Sequence, residues 1–479
     1  MNRSIQRLFL VMVGGFTLLA AMLGWWQVVH AGQLRERQGN PQTLYAERQI
    51  DRGRIISANG KVLAASRAVR RDGQITYQRR YPQQALAAQT IGYSTLQTGK
   101  TGVEAVYDRY LAGSFGAEPL LRRLNLREKR GADLWLNLDT RVQVPAEQAL
   151  SGQKGAVIAL DPRTGAILAA ASSPTFNLQE IADGRFDRVA SQPDSPLVNR
   201  VTASRDAPGS TFKVVVAGEA LESGVYTPTS RFKGGSSYAT PGGPIKNFGG
   251  RTFGPHTLTE ALTNSINTTF AEIGDTLGAD RLGTRMSAFG FGERPRIDLP
   301  PGEVIASGRY KGTTLLPNAQ RGEDAARLAI GQEKLIATPL QMAMVAGAIA
   351  NGGVLMQPQL MSRIVDRSGQ VVRRNDPVQL GQAVSPQVAA DLTKMMTDVV
   401  RDGTGAQAAL VDVGVTVAGK TGTAETGDPL LNNAWFIGFA PADNPRVAVA
   451  VLVEATPGQG GSVAAPVAAD VMRAALEIT

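Results

Sequence analysis

Three short strings in this chain carry residue types suited to serine acyl transfer: S-x-x-K, S-x-N and K-T-G, in that order. The first would supply a hydroxyl nucleophile and an amine to activate it. The second offers a proton relay and an amide, and the third a cation with neighbouring hydroxyls for an anionic substrate group. Each string is weak alone. S-x-x-K occurs at Ser151, Ser210 and Ser230; S-x-N at Ser57 and Ser265; K-T-G at Lys100 and Lys420. The required order discards Ser57 and Lys100. Local pattern decides the rest, because Ser and Lys three residues apart face the same way only on a helix. Ser151 leads past Gly152 and Gly155 into a strand-like run, and Ser230 runs into Gly234-Gly235-Ser236-Ser237. Ser210 follows the turn Pro208-Gly209 and opens a run with Lys213, Ala217 and Leu221 on one face. The positive end of that helix dipole would help to stabilise developing negative charge.

Gly414 to Thr421, GVTVAGKT, also satisfies the phosphate-loop pattern G-x-x-x-x-G-K-[ST]. A phosphate loop needs a flexible turn of converging N–H groups that then opens a helix. Here Val415-Thr416-Val417 is a β-branched run, and Gly422-Thr-Ala-Glu-Thr-Gly-Asp-Pro429 is a poor helix start. The pattern therefore reads as a strand leading into K-T-G.

Stepping outward, the elements that must hold these strings form a sheet with helices between its halves. GAVIALD (155–161) and AILAAASS (166–173) flank the turn PRTG and predict a hairpin. GVTVAG (414–419), AWFIGFA (434–440) and RVAVAVLVEA (446–455) read as three more strands, followed by an amphipathic helix over about 466–477. VQVPAEQAL (142–150), 210–222 and 339–351 read as helices. Thr257-Leu-Thr-Glu260 predicts a capping-box start for a short helix. A second helix is expected from about Thr268 to Leu277, with Ser265-Ile-Asn267 in the link. Strands at both ends and helices in the middle give an α+β or mixed α/β domain whose terminal strands share one sheet.

Upstream, residues 30 to about 140 are Gln- and Arg-rich, with short strand-like runs around Ala58-Asn59-Gly60 and an alternating strand, ADLWLNLD, at 132–139. They predict a small, irregular pedestal. Leu8 to Val29 carries no charge and spans a bilayer core of about 30 Å. Trp25 and Trp26 suit an interfacial belt, and Arg3 and Arg7 favour a cytoplasmic N-terminus. The expected organisation is a tail (1–7), a membrane anchor (8–29), a pedestal (30–140) and a catalytic domain (141–479).

Composition narrows the chemistry. The 479 residues include no cysteine and only His30 and His256, so thiol nucleophiles and thiolate or His-built metal sites are not expected. A Ser-His-Asp triad would rest on His256 alone, which reads instead as structural. The net charge of +9 is concentrated: residues 1–150 hold 21 Lys and Arg against 11 Asp and Glu, whereas the rest is near neutral. A basic field away from the reactive strings suits an anionic membrane or polymer better than nucleic acid. It includes Arg67, Arg70, Arg71 and a cluster at 122–130.

Taken together, the chain resembles the penicillin-binding transpeptidase family, its class B members in particular. The resemblance rests on the anchor, Arg52-Gly-Arg-Ile55, Gly102-Val-Glu104, GAVIALDPRTGAILAAASSPTFN, Asn199-Arg200, PGSTFK, SIN, FGFG (289–292), AIGQ (329–332), ATPLQMA (337–343) and GKTGTAE. The chain departs from the family where Ala105 follows Glu104, since Gly is frequent there. The resemblance implies an antiparallel sheet flanked by helices. It also implies a cofactor-free D-Ala-D-Ala transpeptidase that cross-links peptidoglycan stem peptides, without a glycosyltransferase domain.

By the same resemblance, Ser210 is the nucleophile and Lys213 its base, with a pKa lowered by burial and by Lys420. Ser265 relays the proton, and Asn267 holds the substrate amide and Lys213. Lys420, Thr421 and Thr423 bind the donor carboxylate, Gly422 lets a substrate backbone approach, and the N–H groups of Ser210 and Thr423 form the oxyanion hole. Expected partners are donor and acceptor stem peptides, β-lactams, the bacterial cell membrane through residues 8–29, and a membrane glycan polymerase with other division or elongation proteins. The catalytic domain is expected outside the cytoplasm. A β-lactam hydrolase, a β-lactam sensor and a non-catalytic scaffold would share the three strings.

Overall fold

Gly155–Leu160 and Ile167–Ser173 pair as the expected antiparallel hairpin, and the C-terminal strands continue the same sheet. A computed structural model describes residues 3–25, 48–71, 74–115, 130–318, 324–332 and 334–478. Trp26 to Val29 of the expected anchor, residues 30–47 of the pedestal and residues 122–129 of the basic cluster lie outside the described residues.

The sheet has five strands in the order Ala418–Glu425, Asn432–Ala440, Val447–Thr456, Gly155–Leu160, Ile167–Ser173, every pair antiparallel. Its inner strands read as continuous apolar runs because both faces are buried. Ile158, Leu160, Trp435, Ile437, Ala450 and Leu452 pack into the core that contains the helices Lys213–Glu222 and Pro339–Ala350. Val157, Ala159, Phe436, Val449 and Val451 face the second core, under Ala465–Leu476 and Thr140–Ala149.

Thr338 caps Pro339–Ala350 by accepting from the Gln341 N–H, with Pro339 in the first turn where no donor is lost. That helix is buried nearly all round, which explains why its sequence is apolar without a polar face. His256 is structural: its ring contacts the Gly254 carbonyl and the Thr269 hydroxyl, each at 2.7 Å, and stacks on Phe232.

The strand predicted at 414–419 is displaced. A 3₁₀ turn, Val411–Val413, ends at Gly414 with φ 67°, and the strand begins at Ala418 and runs to Glu425. K-T-G therefore sits inside a strand rather than at its end. The second helix of the S-x-N region also runs further than its apolar spacing suggested, Asn267–Ala288, kinked at Gly278 with φ 77°.

The pedestal is built around a six-stranded sheet, and two of its strands come from the far side of the catalytic sequence. The order is Val371–Arg374, Met361–Val365, Asp133–Leu136, Ile55–Ile56, Val62–Arg71, Gln74–Arg80. Tyr107 donates to Asp298 Oδ1 at 2.8 Å, and Asp298 Oδ2 accepts from the N–H groups of Leu360 and Met361, so pedestal and catalytic parts are tied at half-buried polar contacts. Arg3–Gly24 is an exposed helix of 22 residues, and among the described residues it alone is long and apolar enough to cross a membrane.

Candidate active site

Ser210 lies in a 3₁₀ turn, Gly209–Phe212, that feeds directly into the α-helix Lys213–Glu222. Positions i and i+3 eclipse in a 3₁₀ turn, so Ser210 and Lys213 remain on one side although the α-helix starts only at the lysine. The turn is wedged between two backbones. A Cβ at Gly331 would lie 1.9 Å from the Gly209 carbonyl oxygen, and one at Gly422 would lie 2.8 Å from the Pro208 carbonyl oxygen and 2.9 Å from Thr211 Cγ2. Gly422 therefore serves the packing of the K-T-G strand on the Ser210 turn. The space on its Cβ side is filled by this chain.

The capping box of Thr257 and Glu260 is present, and the short helix Leu258–Thr263 ends two residues before Ser265. Ser265 has φ 56°, a left-handed conformation costly for a side chain other than glycine. That turn aims both the carbonyl and the hydroxyl of Ser265 at one amine. Lys213 Nζ donates to Ser265 O at 2.8 Å and to Asn267 Oδ1 at 2.7 Å, and lies 3.4 Å from Ser265 Oγ. From the other side, Lys420 Nζ donates to Ser265 Oγ at 3.0 Å and to the Thr421 carbonyl at 2.9 Å. Asn267 is in turn fixed by its amide, which donates to the Lys246 carbonyl at 2.9 Å.

Both lysines are fully buried, and none of these contacts is to a carboxylate. Burial, and then the neighbouring Lys420, push the Lys213 amine well below the usual lysine range; burial brings Lys420 down to about 7. The two shortest contacts of Lys213 are to carbonyl oxygens, which can only accept, and the third is to the Ser265 hydroxyl. Ser210 is half-buried, with no hydrogen-bond partner for its Oγ among the described residues.

Comparison with known proteins agrees with this geometry. Residues 155–473 match the penicillin binding protein transpeptidase domain, and residues 52–133 match the penicillin binding protein A dimerisation domain. The chain belongs to the class B penicillin-binding proteins, the peptidoglycan D,D-transpeptidase family. It is 36% identical to the peptidoglycan D,D-transpeptidase PbpA of Mycolicibacterium smegmatis, over 99% of each chain. The PbpA of Mycobacterium tuberculosis is 35% identical over 100% of this chain and 99% of its own. The imipenem acyl-enzyme complex of penicillin-binding protein A from M. tuberculosis superposes with a TM-score of 0.79, at 35% identity, over 90% of this chain and all of that one.

In this penicillin-binding protein, the structure brings Lys213, Ser265, Asn267 and Lys420 into one hydrogen-bonded cluster, with Ser210 one turn before Lys213. Lys100 and the two other S-x-x-K strings contribute no contact to it. The phosphate-loop alternative fails on local structure, since the backbone after Gly419 stays extended where an anion-binding helix would have to start.

Thr421 and Thr423 lie two apart on one strand and so share a face. Thr423 Oγ1 accepts from the Gly460 N–H at 3.3 Å, and Thr421 Oγ1 meets Thr404 Oγ1 at 2.5 Å. Thr404 and Gly460 escaped the sequence reading because nothing in Gly403-Thr-Gly405 or Gly458-Gln-Gly-Gly461 names a partner. Asp206 was also missed: four residues before Ser210, it accepts from Asn433 Nδ2 at 2.7 Å and links the segment before the Ser210 turn to the strand Asn432–Ala440. Burial, with Glu454 nearby, raises its carboxyl to about 7.

Proposed function

We propose that this chain is a peptidoglycan D,D-transpeptidase in which Ser210 Oγ attacks the carbonyl of a D-Ala-D-Ala donor while Lys213 takes its proton. The observation that carries this reading is the Lys213 amine, buried without a carboxylate partner and held between Ser265 O and Asn267 Oδ1. In its neutral form that amine can act as a base. Ser265, held between the two amines, relays that proton to the nitrogen of the leaving D-Ala as its C–N bond breaks, so the nitrogen departs as a neutral amine and Ser210 is left as an ester. The amine of a second stem peptide then attacks that ester by the reverse route. The backbone N–H groups of Ser210 and Thr423 stabilise the oxyanion, and close packing of Gly209 against the Thr423 carbonyl supports their adjacency. Lys420, Thr421 and Thr423 receive the donor's terminal carboxylate. A β-lactam follows the same first step and stays on Ser210.

The reading extends to the whole chain: a tail (1–7), an anchor (8–29), a pedestal (30–140) and a transpeptidase domain (141–479) outside the cytoplasmic membrane. The apolar helix Arg3–Gly24 and the basic N-terminal third support that topology. The pedestal would meet a membrane glycan polymerase and other division or elongation proteins.

The test is labelling of the full-length protein in detergent with a fluorescent penicillin, with the adduct located by mass spectrometry. One long-lived acyl group on Ser210, absent from Ser210→Ala, is expected. Label that persists in that variant would overturn the assignment, and rapid loss of label from the unmodified protein would indicate a hydrolase.

A further inference from the structure

The loop Gly403-Thr-Gly405 follows the helix Pro386–Arg401 and lies over the K-T-G strand. It is fixed on three sides. Thr404 N–H donates to the Thr263 carbonyl at 3.4 Å, and Gly405 N–H to the Val399 carbonyl at 2.9 Å. A Cβ at Gly461 would fall 2.4 Å from the Thr404 carbonyl oxygen, so the 460–461 turn is packed on the loop. The Thr404 side chain is exposed, whereas Thr421 is buried, and the two hydroxyl oxygens are 2.5 Å apart.

Only one proton can lie between two hydroxyl oxygens. If Thr421 gave that proton, it would turn a lone pair toward an arriving anion. If Thr404 gives it, Thr421 keeps its own proton to donate outward, and the chained donors polarise one another. The neighbouring Thr423 is arranged in the same way, since its oxygen accepts from the Gly460 N–H and leaves its proton free. Two hydroxyl donors on one strand face, beside the buried amine of Lys420, suit a two-oxygen anion such as a carboxylate.

We propose that Thr404 is a positioning residue for the donor's terminal carboxylate, holding the Thr421 hydroxyl in the orientation that donates to it. This rests on the reading of Lys420-Thr-Gly as the carboxylate site. Thr404 acts through Thr421 and not on the reacting carbonyl.

The test compares Thr404→Val with Thr404→Ser in the full-length protein, using benzylpenicillin and its neutral methyl ester as acylating probes. Thr404→Val is expected to weaken the initial binding of benzylpenicillin by roughly tenfold to a hundredfold. The acylation step itself should hardly change, and the slower reaction of the methyl ester should be unaffected. Thr404→Ser should restore the wild-type values. Equal losses with both probes in Thr404→Val would mean that the loop has only a structural role, and no change with either probe would remove Thr404 from the site; both overturn the proposal. Failure of both probes to acylate Ser210 in the unmodified protein would overturn the transpeptidase reading and this proposal with it.

Discussion

Lys100-Thr-Gly and Lys420-Thr-Gly are the same tripeptide in opposite electrostatic surroundings. In the pedestal, Lys100 ends a two-residue strand and its amine meets Asp108 Oδ1 at 3.0 Å. Gly102 then takes φ 56° and opens the helix Gly102–Val106. Around it buried charges are paired: Arg52 contacts Glu104 and Asp108, and Arg79 contacts Glu104 at 2.5 Å. Burial pushes the Glu104 carboxyl up, but Arg79 and Arg52 outweigh it and hold it below the usual range. In the catalytic part, Lys420 is interior to a strand and fully buried, and its partners are a hydroxyl, a carbonyl and the field of a second lysine. Matched charges hold a structure together and keep each group in its ordinary ionisation state. Like charges packed without counter-ions push an amine toward its neutral form, which is the state a base needs.

That contrast can be broken at its strongest point first. Lys213→Ala is expected to slow acylation of Ser210 by about 10²–10⁴-fold. Near-normal labelling by a protein with an unchanged melting temperature would show that another group takes the proton. In the pedestal the effect should fall on stability instead. Glu104→Ala leaves the buried Arg79 guanidinium without a carboxylate and Arg52 with Asp108 alone, and should cost about 3–5 kcal/mol in urea unfolding, while the folded fraction acylates at the wild-type rate. A change in rate without a change in stability would couple the two regions chemically.

A subtler consequence concerns pH. The positive field of Lys420 disfavours the protonated form of Lys213, so Lys420→Met lets Lys213 gain its proton at higher pH. The acid limb of the acylation-rate profile should therefore move upward in pH; a limb that stays in place would mean that burial alone sets the amine. The smallest effect is expected at the other tripeptide. Lys100→Met removes a half-screened ion pair, at a cost of less than about 1 kcal/mol, and should leave the acylation profile superimposable on that of the parent. Slower acylation there would contradict the division of labour between the copies.

Much of the catalytic fold was legible because its signals are local. The hairpin at 155–173, the strands at 432–440 and 447–456, the capping box at Thr257 and the terminal helix each announce themselves within about ten residues. Displacement of the K-T-G strand was not legible, because a β-branched run at 415–417 suits a strand equally well. Gly414 and the bridge from Val415 to Leu410 take that run out of the sheet. Nor was the pedestal sheet complete in the sequence, since Met361–Val365 reaches it only through long-range pairing with Asp133–Leu136.

The sequence by itself determined the chemistry available: a Ser and a Lys three apart at a helix start, an S-x-N at a helix link, a cation beside hydroxyls, and neither thiols nor a second candidate histidine. Tertiary structure decided what those groups become. The left-handed turn at Ser265 aims a carbonyl and a hydroxyl at Lys213, a second lysine arrives from a strand 155 residues further along, and Thr404 reaches Thr421 from a separate loop. Local sequence sets conformational preference over a few residues. Burial, proton placement and the field of a distant charge exist only once the chain has closed on itself.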